Sequence, residues 1–168
     1  MTAVPKLQHE YTECYLNRED SNFKFNITYQ NGFNNAPPER QIAMRKKVAD
    51  EERSIRMKMT DDQVQCIDLL LEWRGKNYVD LAADTGISER TIRRIAHGEN
   101  TSVANGVRIC IALHLSPIIS GKLLNVLGCP LDITRNQEHM WINEALCLKY
   151  PESVEAAVAY LADYGVKI

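Results

Sequence analysis

A turn of only four residues, "TGIS" at Thr85–Ser88, joins two short helical patterns near the middle of the chain. The first pattern begins at about Tyr78, and the second takes Ser88 as its N-cap and stops at Gly98. So short a connection makes the two helices cross steeply, and the turn then needs a residue that tolerates a positive φ, which Gly86 supplies. Crossed helices also need a small residue where they approach, and Ala82 fills that position. The stretch therefore predicts a helix-turn-helix.

The spacing of apolar residues predicts which face of this motif is buried. The side chains at positions that must point inward are Leu81, Ile87, Ile92 and Ile95. The side chains left outward or along the rim of the second helix are Glu89, Arg90, Thr91, Arg93 and Arg94. Three arginines on one outward surface are the feature that favours a polyanion partner.

The stretch "LAADTGISERTIRRIAHGE", with the apolar "ALHLSP" at 112–117, resembles the helix-turn-helix domain of the lambda-repressor and Cro type, the XRE family. The residues at the family's expected spacing are Leu81, Ala82, Gly86, Ile87, Ser88, Thr91, Ile92, Ile95 and Gly98. The resemblance covers about Asp61 to Leu127. It implies a five-helix domain that binds double-stranded DNA sequence-specifically, as a bacterial or phage regulator of transcription.

The resemblance also implies which residues touch DNA, because the third helix of such domains, here about 88–97, enters the major groove. The base-contacting residues it implies are Ser88, Glu89, Arg90 and Arg94. The residues it places at the DNA backbone are Asn77, Tyr78, Thr91, Arg93, Asn100, Thr101 and Ser102. The chemistry fits, since arginine offers two donors to a guanine edge and glutamate accepts from a cytosine amino group.

Each of these side chains has a plainer alternative, which is a solvated helix face. Glu89 and Arg93 are spaced for an i,i+4 ion pair worth only about 0.2 to 0.5 kcal/mol. For the whole domain, the alternative function is a protein-interaction module that keeps the helix-turn-helix fold without reading DNA.

The patterns around the motif predict a mostly α protein in four parts. Residues 1–39 form an N-terminal segment that we expect to be partly disordered, in which "FKFNITYQNGF" alternates like a strand and suits a short β hairpin. Residues 40–59 predict a charged helical connector with a narrow apolar stripe (Ile42, Val48, Ile55), either solvated or serving as a basic arm on phosphate. Residues 60–128 form the DNA-binding domain and residues 129–168 a helical extension.

The remaining helix boundaries follow from caps and breakers. Inside the DNA-binding domain, the first helix takes Thr60 as its N-cap, the fourth runs from about Val103 to Leu115, and the fifth runs from Pro117 to near Gly128. In the extension, two helices are expected at about 137–149 and, with Pro151 in its first turn, about 152–164. The apolar residues of these two helices either only cover the core or also form a homodimer contact.

Charge is unevenly distributed along the chain, although the formal net charge is only -2. Residues 1–59 carry +2, residues 60–128 carry -1 and residues 129–168 carry -3. An acidic C-terminal part repels phosphate, so a DNA-binding surface is expected within the first two segments.

The sequence lacks the signatures of several other classes of protein. No run approaches the roughly 18 apolar residues that span a bilayer, and no export signal is evident, so a cytoplasmic protein is expected. The five cysteines form no CxxC pair, and the four histidines show no ligand spacing, so neither a metal site nor a cofactor is predicted. No P-loop, GxGxxG or GxSxG motif appears, and we predict no enzymatic activity.

Overall fold

The computed structural model describes residues 36–150 and 152–168, and the regular structure in them is helical. The helices are α1 Pro38–Lys58, α2 Gln63–Arg74, α3 Tyr78–Thr85, α4 Glu89–Ala96, α5 Val103–Ala112, α6 Pro117–Val126, α7 Gln137–Leu148 and α8 Val154–Ala162. These residues contain no β-strand, so the prediction of a mostly α chain is confirmed for them. The predicted strand and hairpin at 23–32 lie outside the described residues.

Helix α5 lies at the centre of the fold, because it is apolar on most sides. Its residues Val107, Ile109, Cys110 and Ile111 are fully buried, and it packs against α3, α6, α7 and α8. Helices α7 and α8 add side chains such as Leu146 to the same hydrophobic cluster that holds the residues of α2 to α6. The C-terminal helices are therefore part of one core with the helix-turn-helix.

The predicted N-cap of α2 is wrong. Asp62 rather than Thr60 caps this helix, since Asp62 Oδ1 accepts the backbone N–H of Gln65 at 2.8 Å. The Thr60 hydroxyl instead accepts the Asp62 N–H at 3.3 Å, just outside the helix. Asp and Thr are both good caps, and the choice depends on which side chain reaches the orphan amide of the third helical residue.

Two other helices are shorter than predicted. Helix α5 ends at Ala112 instead of Leu115, because His114 adopts a positive φ of 49°. Helix α8 begins at Val154 instead of about Glu152, since the Ser153 hydroxyl accepts the N–H of Ala156 at 3.2 Å and caps it there. Pro151, predicted to lie in its first turn, is outside the described residues.

The stripe predicted for α1 is confirmed only in part. Ile55 is buried as expected, whereas Ile42 is 68% exposed and Met44 is fully buried in its place. The helix is 21 residues long and strongly charged.

Within the described ranges, no helix combines the length and the apolar character that crossing a membrane requires.

Arg74, the last residue of α2, is a buried cation that joins this helix to the end of α5. Its Nε donates to the carbonyl oxygen of Leu113 and its Nη2 to that of His114, each at 2.8 Å. Its guanidinium also lies 3.6 Å from the ring centroid of Trp73. The side chain thereby supplies donors to carbonyls that have no helical partner where α5 ends.

Gly106 in α5 is a point of close approach between helices. A Cβ there would lie 2.7 Å from Cδ2 of Leu124 in α6 and 2.9 Å from Sγ of Cys129. We expect Gly106→Ala to lower the free energy of unfolding by about 1 to 3 kcal/mol, because the added methyl overpacks this contact. Urea denaturation of the purified chain measures the change.

Gly121→Ala is the matched control for this prediction. A Cβ at Gly121, in the exposed part of α6, meets nothing within 4 Å. The same substitution there should stabilise the chain by about 0.5 to 1 kcal/mol through helix propensity alone. If both variants changed stability by the same amount and sign, the close packing at Gly106 would be disproved.

Candidate nucleic-acid interface

Helix α3 starts from a capping box, which fixes the position of its N-terminus. Asn77 Oδ1 accepts the N–H groups of Val79 and Asp80 at 2.8 and 3.0 Å. In return, the Asp80 carboxylate accepts the N–H of Asn77 at 3.0 Å. The Asn77 side chain, which was predicted to contact the DNA backbone, therefore caps α3. The first turn of α3 presents the positive end of the helix dipole to solvent.

Hydrogen bonds within the turn and from α5 fix the turn between α3 and α4. Gly86 ends α3 with φ 69°, in the left-handed conformation that the short connection was predicted to need. The Thr85 hydroxyl donates to the carbonyl of Leu81 at 2.7 Å and accepts the N–H of Ile87 at 3.2 Å. From α5, Arg108 Nη1 donates to the Thr85 carbonyl at 2.9 Å. These bonds set the direction in which α4 leaves the core.

Ser88 is the N-cap of helix α4, as predicted. The Ser88 hydroxyl accepts the N–H of Thr91 at 3.2 Å and lies 2.8 Å from the Thr91 hydroxyl. The inward residues Ile92 and Ile95 are buried, as predicted, and Ala96 is buried with them. The opposite face of the helix is consequently exposed and carries all three arginines.

Arg93 lies between an acid and an aromatic ring. Its Nε and Nη2 both donate to Glu89 Oε1, at 2.8 and 2.7 Å, and its guanidinium lies 4.5 Å from the centroid of the Tyr78 ring. The Tyr78 hydroxyl in turn donates to Asp68 Oδ1 at 2.7 Å. Burial and then this hydrogen bond raise the pKa of Tyr78, so the phenol stays protonated. The i,i+4 pair predicted for Glu89 and Arg93 is present.

The other two arginines differ from each other. Arg94 pairs with Glu99 through two contacts, whereas Arg90 forms no hydrogen bond or ion pair with any residue that the structure describes. The three arginines line a shallow depression of about 480 Å³, together with Glu89, Glu99 and His97. His97 itself binds the carbonyl of Arg93 through Nδ1 at 2.6 Å. The depression therefore presents three cations and two carboxylates.

The loop residues predicted to contact the DNA backbone lie between α4 and α5. Ser102 caps α5, because its hydroxyl accepts the N–H of Asn105 at 3.2 Å. Thr101 donates weakly to the carbonyl of Ser102 at 3.5 Å, and Asn100 is exposed. The structure thus brings Ser88, Glu89, Arg90, Thr91, Arg93 and Arg94 together on α4, with Tyr78 beside Arg93, and places the loop residues beyond the far end of that helix.

Three residues of this region were missed by the sequence analysis: Asp68, Glu99 and Arg108. Asp68 and Arg108 act across contacts between helices, and no local pattern reveals them. Glu99 had a local signal, because a glycine that ends a helix turns the following residue back toward the last turn.

Metal-binding clusters are missing from the part of the chain that the structure describes. The cysteines there are free thiols and, apart from the exposed Cys147, buried. Burial raises the pKa of the Cys66 thiol to about 11 and that of Cys110 to about 12. Both thiols are therefore protonated packing groups at neutral pH.

Comparison of the chain with protein-family models, with curated proteins and with solved structures found no match.

Proposed function

We propose that the chain is a non-enzymatic, cytoplasmic regulator of transcription that binds double-stranded DNA sequence-specifically, with α4 in the major groove. Helices α2 to α6 would form its lambda-repressor-like domain. The observation that carries the proposal is the exposed face of α4, on which Arg90, Arg93 and Arg94 all point away from the core. A short helix presented by a tight, glycine-ended turn is the element that such regulators insert into the major groove.

Arg90 is the strongest candidate for reading a base. It lies in the first turn of α4, the end that reaches base edges first. Because it has no hydrogen-bond or ion-pair partner among the described residues, DNA would displace no protein contact to engage it. Its planar guanidinium matches the two acceptors of a guanine edge. Ser88, Glu89 and Arg94 complete the proposed base-contacting set.

The remaining polar groups suit the DNA backbone. Arg93 is held by Glu89 and by the face of Tyr78, which favours a positioning contact with phosphate over a reading contact. Asn77 and Tyr78 stand at the N-terminus of α3, where the helix dipole favours phosphate. Thr91 and the loop residues Asn100, Thr101 and Ser102 are proposed to add short polar contacts.

A homodimer would let two copies of α4 bind paired half-sites. The extension offers exposed apolar side chains for such a contact, with Met140 42%, Leu148 51% and Tyr164 43% exposed. We propose that the second copy binds through these C-terminal helices, away from α4.

The competing function is a protein-interaction module. The observation in its favour is that Glu89 and Glu99 neutralise two of the three arginines. Val79, at the start of α3 near this face, is also 59% exposed. A protein partner would use such a mixed and nearly neutral surface, whereas DNA would draw mainly on the cations.

Selection of bound duplexes from a random pool tests the proposal. The full chain should enrich one sequence, with two half-sites about 10 base pairs apart, centre to centre, if it binds as a dimer. Its binding constant for that duplex should fall with added salt, by about 0.9 log units per log unit of salt for each phosphate contact. Enrichment of no sequence, together with salt-independent behaviour, would leave the protein-interaction module as the better account.

A further inference from the structure

The end of α4 is a Schellman turn that brings the next residue back over the helix. The N–H of Glu99 donates to the carbonyl of Arg94 at 3.1 Å, and the N–H of Gly98 donates to that of Ile95 at 3.1 Å. Gly98 makes this possible with φ 94°, which other residues rarely adopt. Glu99 therefore begins its side chain beside the last turn of α4, on the side of Arg94.

The side chains of Glu99 and Arg94 meet edge to edge. Arg94 Nε donates to Glu99 Oε1 at 2.7 Å, and Arg94 Nη2 contacts Glu99 Oε2. Both carboxylate oxygens are thus used, one for each donor. The hydrogen bond from Arg94 is the largest cause of a lowered pKa at Glu99, so the carboxylate is charged at neutral pH.

This geometry leaves the outer edge of the guanidinium available. Nη1 of Arg94 makes no hydrogen bond within the described ranges, and the second proton of Nη2 points along the same outer edge. The Arg94 side chain remains 57% exposed. A guanidinium whose inner edge is held by a carboxylate still offers two parallel donors, which is what the O6 and N7 acceptors of guanine require.

The pair between Arg93 and Glu89 on the same helix is different. There, both arginine donors share the single oxygen Oε1 of Glu89, and the guanidinium lies over the Tyr78 ring. Arg93 is directed along the helix surface, toward α3. Among the three arginines of α4, and within the described residues, Arg94 alone is held edge to edge by an acid beyond the helix end.

We propose that Glu99 is a positioning residue that orients Arg94 so that its outer edge reads a guanine. This inference rests on the proposed function, because it assigns a role to Glu99 within the same DNA-reading face. An arginine already held in one orientation loses less side-chain freedom when it binds a base. Glu99 thus contributes to discrimination between base pairs, although its own charge repels the DNA backbone.

The opposite role for Glu99 makes a different prediction. If the carboxylate only competed with DNA for Arg94, its removal would strengthen binding to every duplex by the same factor. Discrimination and nonspecific affinity therefore have to be measured separately.

The test uses the full chain and three kinds of duplex. These are the duplex enriched from the random pool, its three variants at the base pair where Arg94→Ala relaxes discrimination, and a scrambled duplex of equal composition. Glu99→Gln should lower discrimination at that base pair roughly twofold to tenfold, the range expected for ordering one long side chain. Binding to the scrambled duplex should stay constant or become tighter, because a negative charge has been removed.

Two controls separate orientation from charge. Glu138→Gln removes the same charge from the exposed first turn of α7 and should leave discrimination unchanged. Glu99→Gln in an Arg94→Ala background should also have no further effect on discrimination, since the side chain to be oriented is gone. Circular dichroism verifies that each variant is folded.

The outcomes distinguish failure of the role of Glu99 from failure of DNA reading by Arg94. Equal tightening on all duplexes, or unchanged discrimination in Glu99→Gln while Arg94→Ala relaxes it, overturns the role of Glu99 alone. Enrichment of no duplex, or no effect of Arg94→Ala on any base pair, overturns the reading of DNA by Arg94 and the role of Glu99 with it. Reduced discrimination confined to the position of Arg94 supports the inference.

Discussion

Replacing Arg90 with alanine is expected to weaken binding to the enriched duplex roughly fivefold to 150-fold and to relax discrimination at one base pair. The reason is that truncation removes a two-donor contact from the end of α4 that enters the groove first. Adding Arg94→Ala should remove discrimination at a second base pair and leave mainly salt-dependent binding. Fluorescence anisotropy titrations at one fixed salt concentration, on the duplex and its single-base variants, measure both effects.

The control for these variants is Arg135→Ala. Arg135 is exposed in the segment between α6 and α7, so its removal changes the net charge equally without touching α4. Only a small and sequence-independent loss of affinity is expected there. A double variant at Arg90 and Arg94 that still discriminated between duplexes like the original chain would contradict the proposed docking of α4.

The helix-turn-helix could be predicted from the sequence because its determinants are local. A glycine that must adopt a positive φ, a serine N-cap and inward apolar residues all act within a few positions of each other. The structure has Gly86 in the left-handed conformation, Ser88 capping α4 and Ile92 fully buried. Local agreement among caps, turn and apolar spacing is what made the elements of this region predictable.

The rest of the fold could not be predicted in the same way, because it depends on contacts distant in sequence. Arg108, for example, donates to Thr85, 23 residues away, and to Ile168, 60 residues away. Ile42 is a different case, because it was placed in the predicted buried stripe of α1 but is exposed, whereas Met44 is buried. Met44 lies four residues before Val48 and eleven before Ile55, on the same face of the helix, and Ile42 does not share that face, so its assignment was an error of helical spacing.

For the candidate site, the sequence predicted which side chains face outward but not how they pair. The outward direction of Arg90 and Arg94 follows from helix periodicity. The contact between Arg94 and Glu99 instead depends on the conformation of Gly98, which swings the chain back. Ion pairs made beyond a helix end follow from turn geometry, which spacing along the helix does not describe.

Arg74→Met is expected to lower the free energy of unfolding by roughly 2 to 5 kcal/mol. Methionine keeps an apolar stem of similar length beside Trp73, so the main loss is that of the donors to the carbonyls of Leu113 and His114. A buried carbonyl left without a partner costs about 1 to 3 kcal/mol. Because these carbonyls lie directly after the last residue of α5, the central helix, we expect their loss of partners to weaken the whole core. Urea denaturation followed by circular dichroism measures the change in the free energy of unfolding.

Two further variants show whether the forked donor or only the positive charge matters at this position. Arg74→Lys keeps the charge but replaces the planar fork by a single ammonium, so it should recover only part of the lost stability. Arg135→Met removes an exposed arginine and should change stability by less than about 0.5 kcal/mol. If Arg74→Lys were as stable as the original chain, charge alone would account for Arg74. If Arg74→Met were equally stable, the two carbonyls would need no donor, and the account of how α2 is joined to α5 would be wrong.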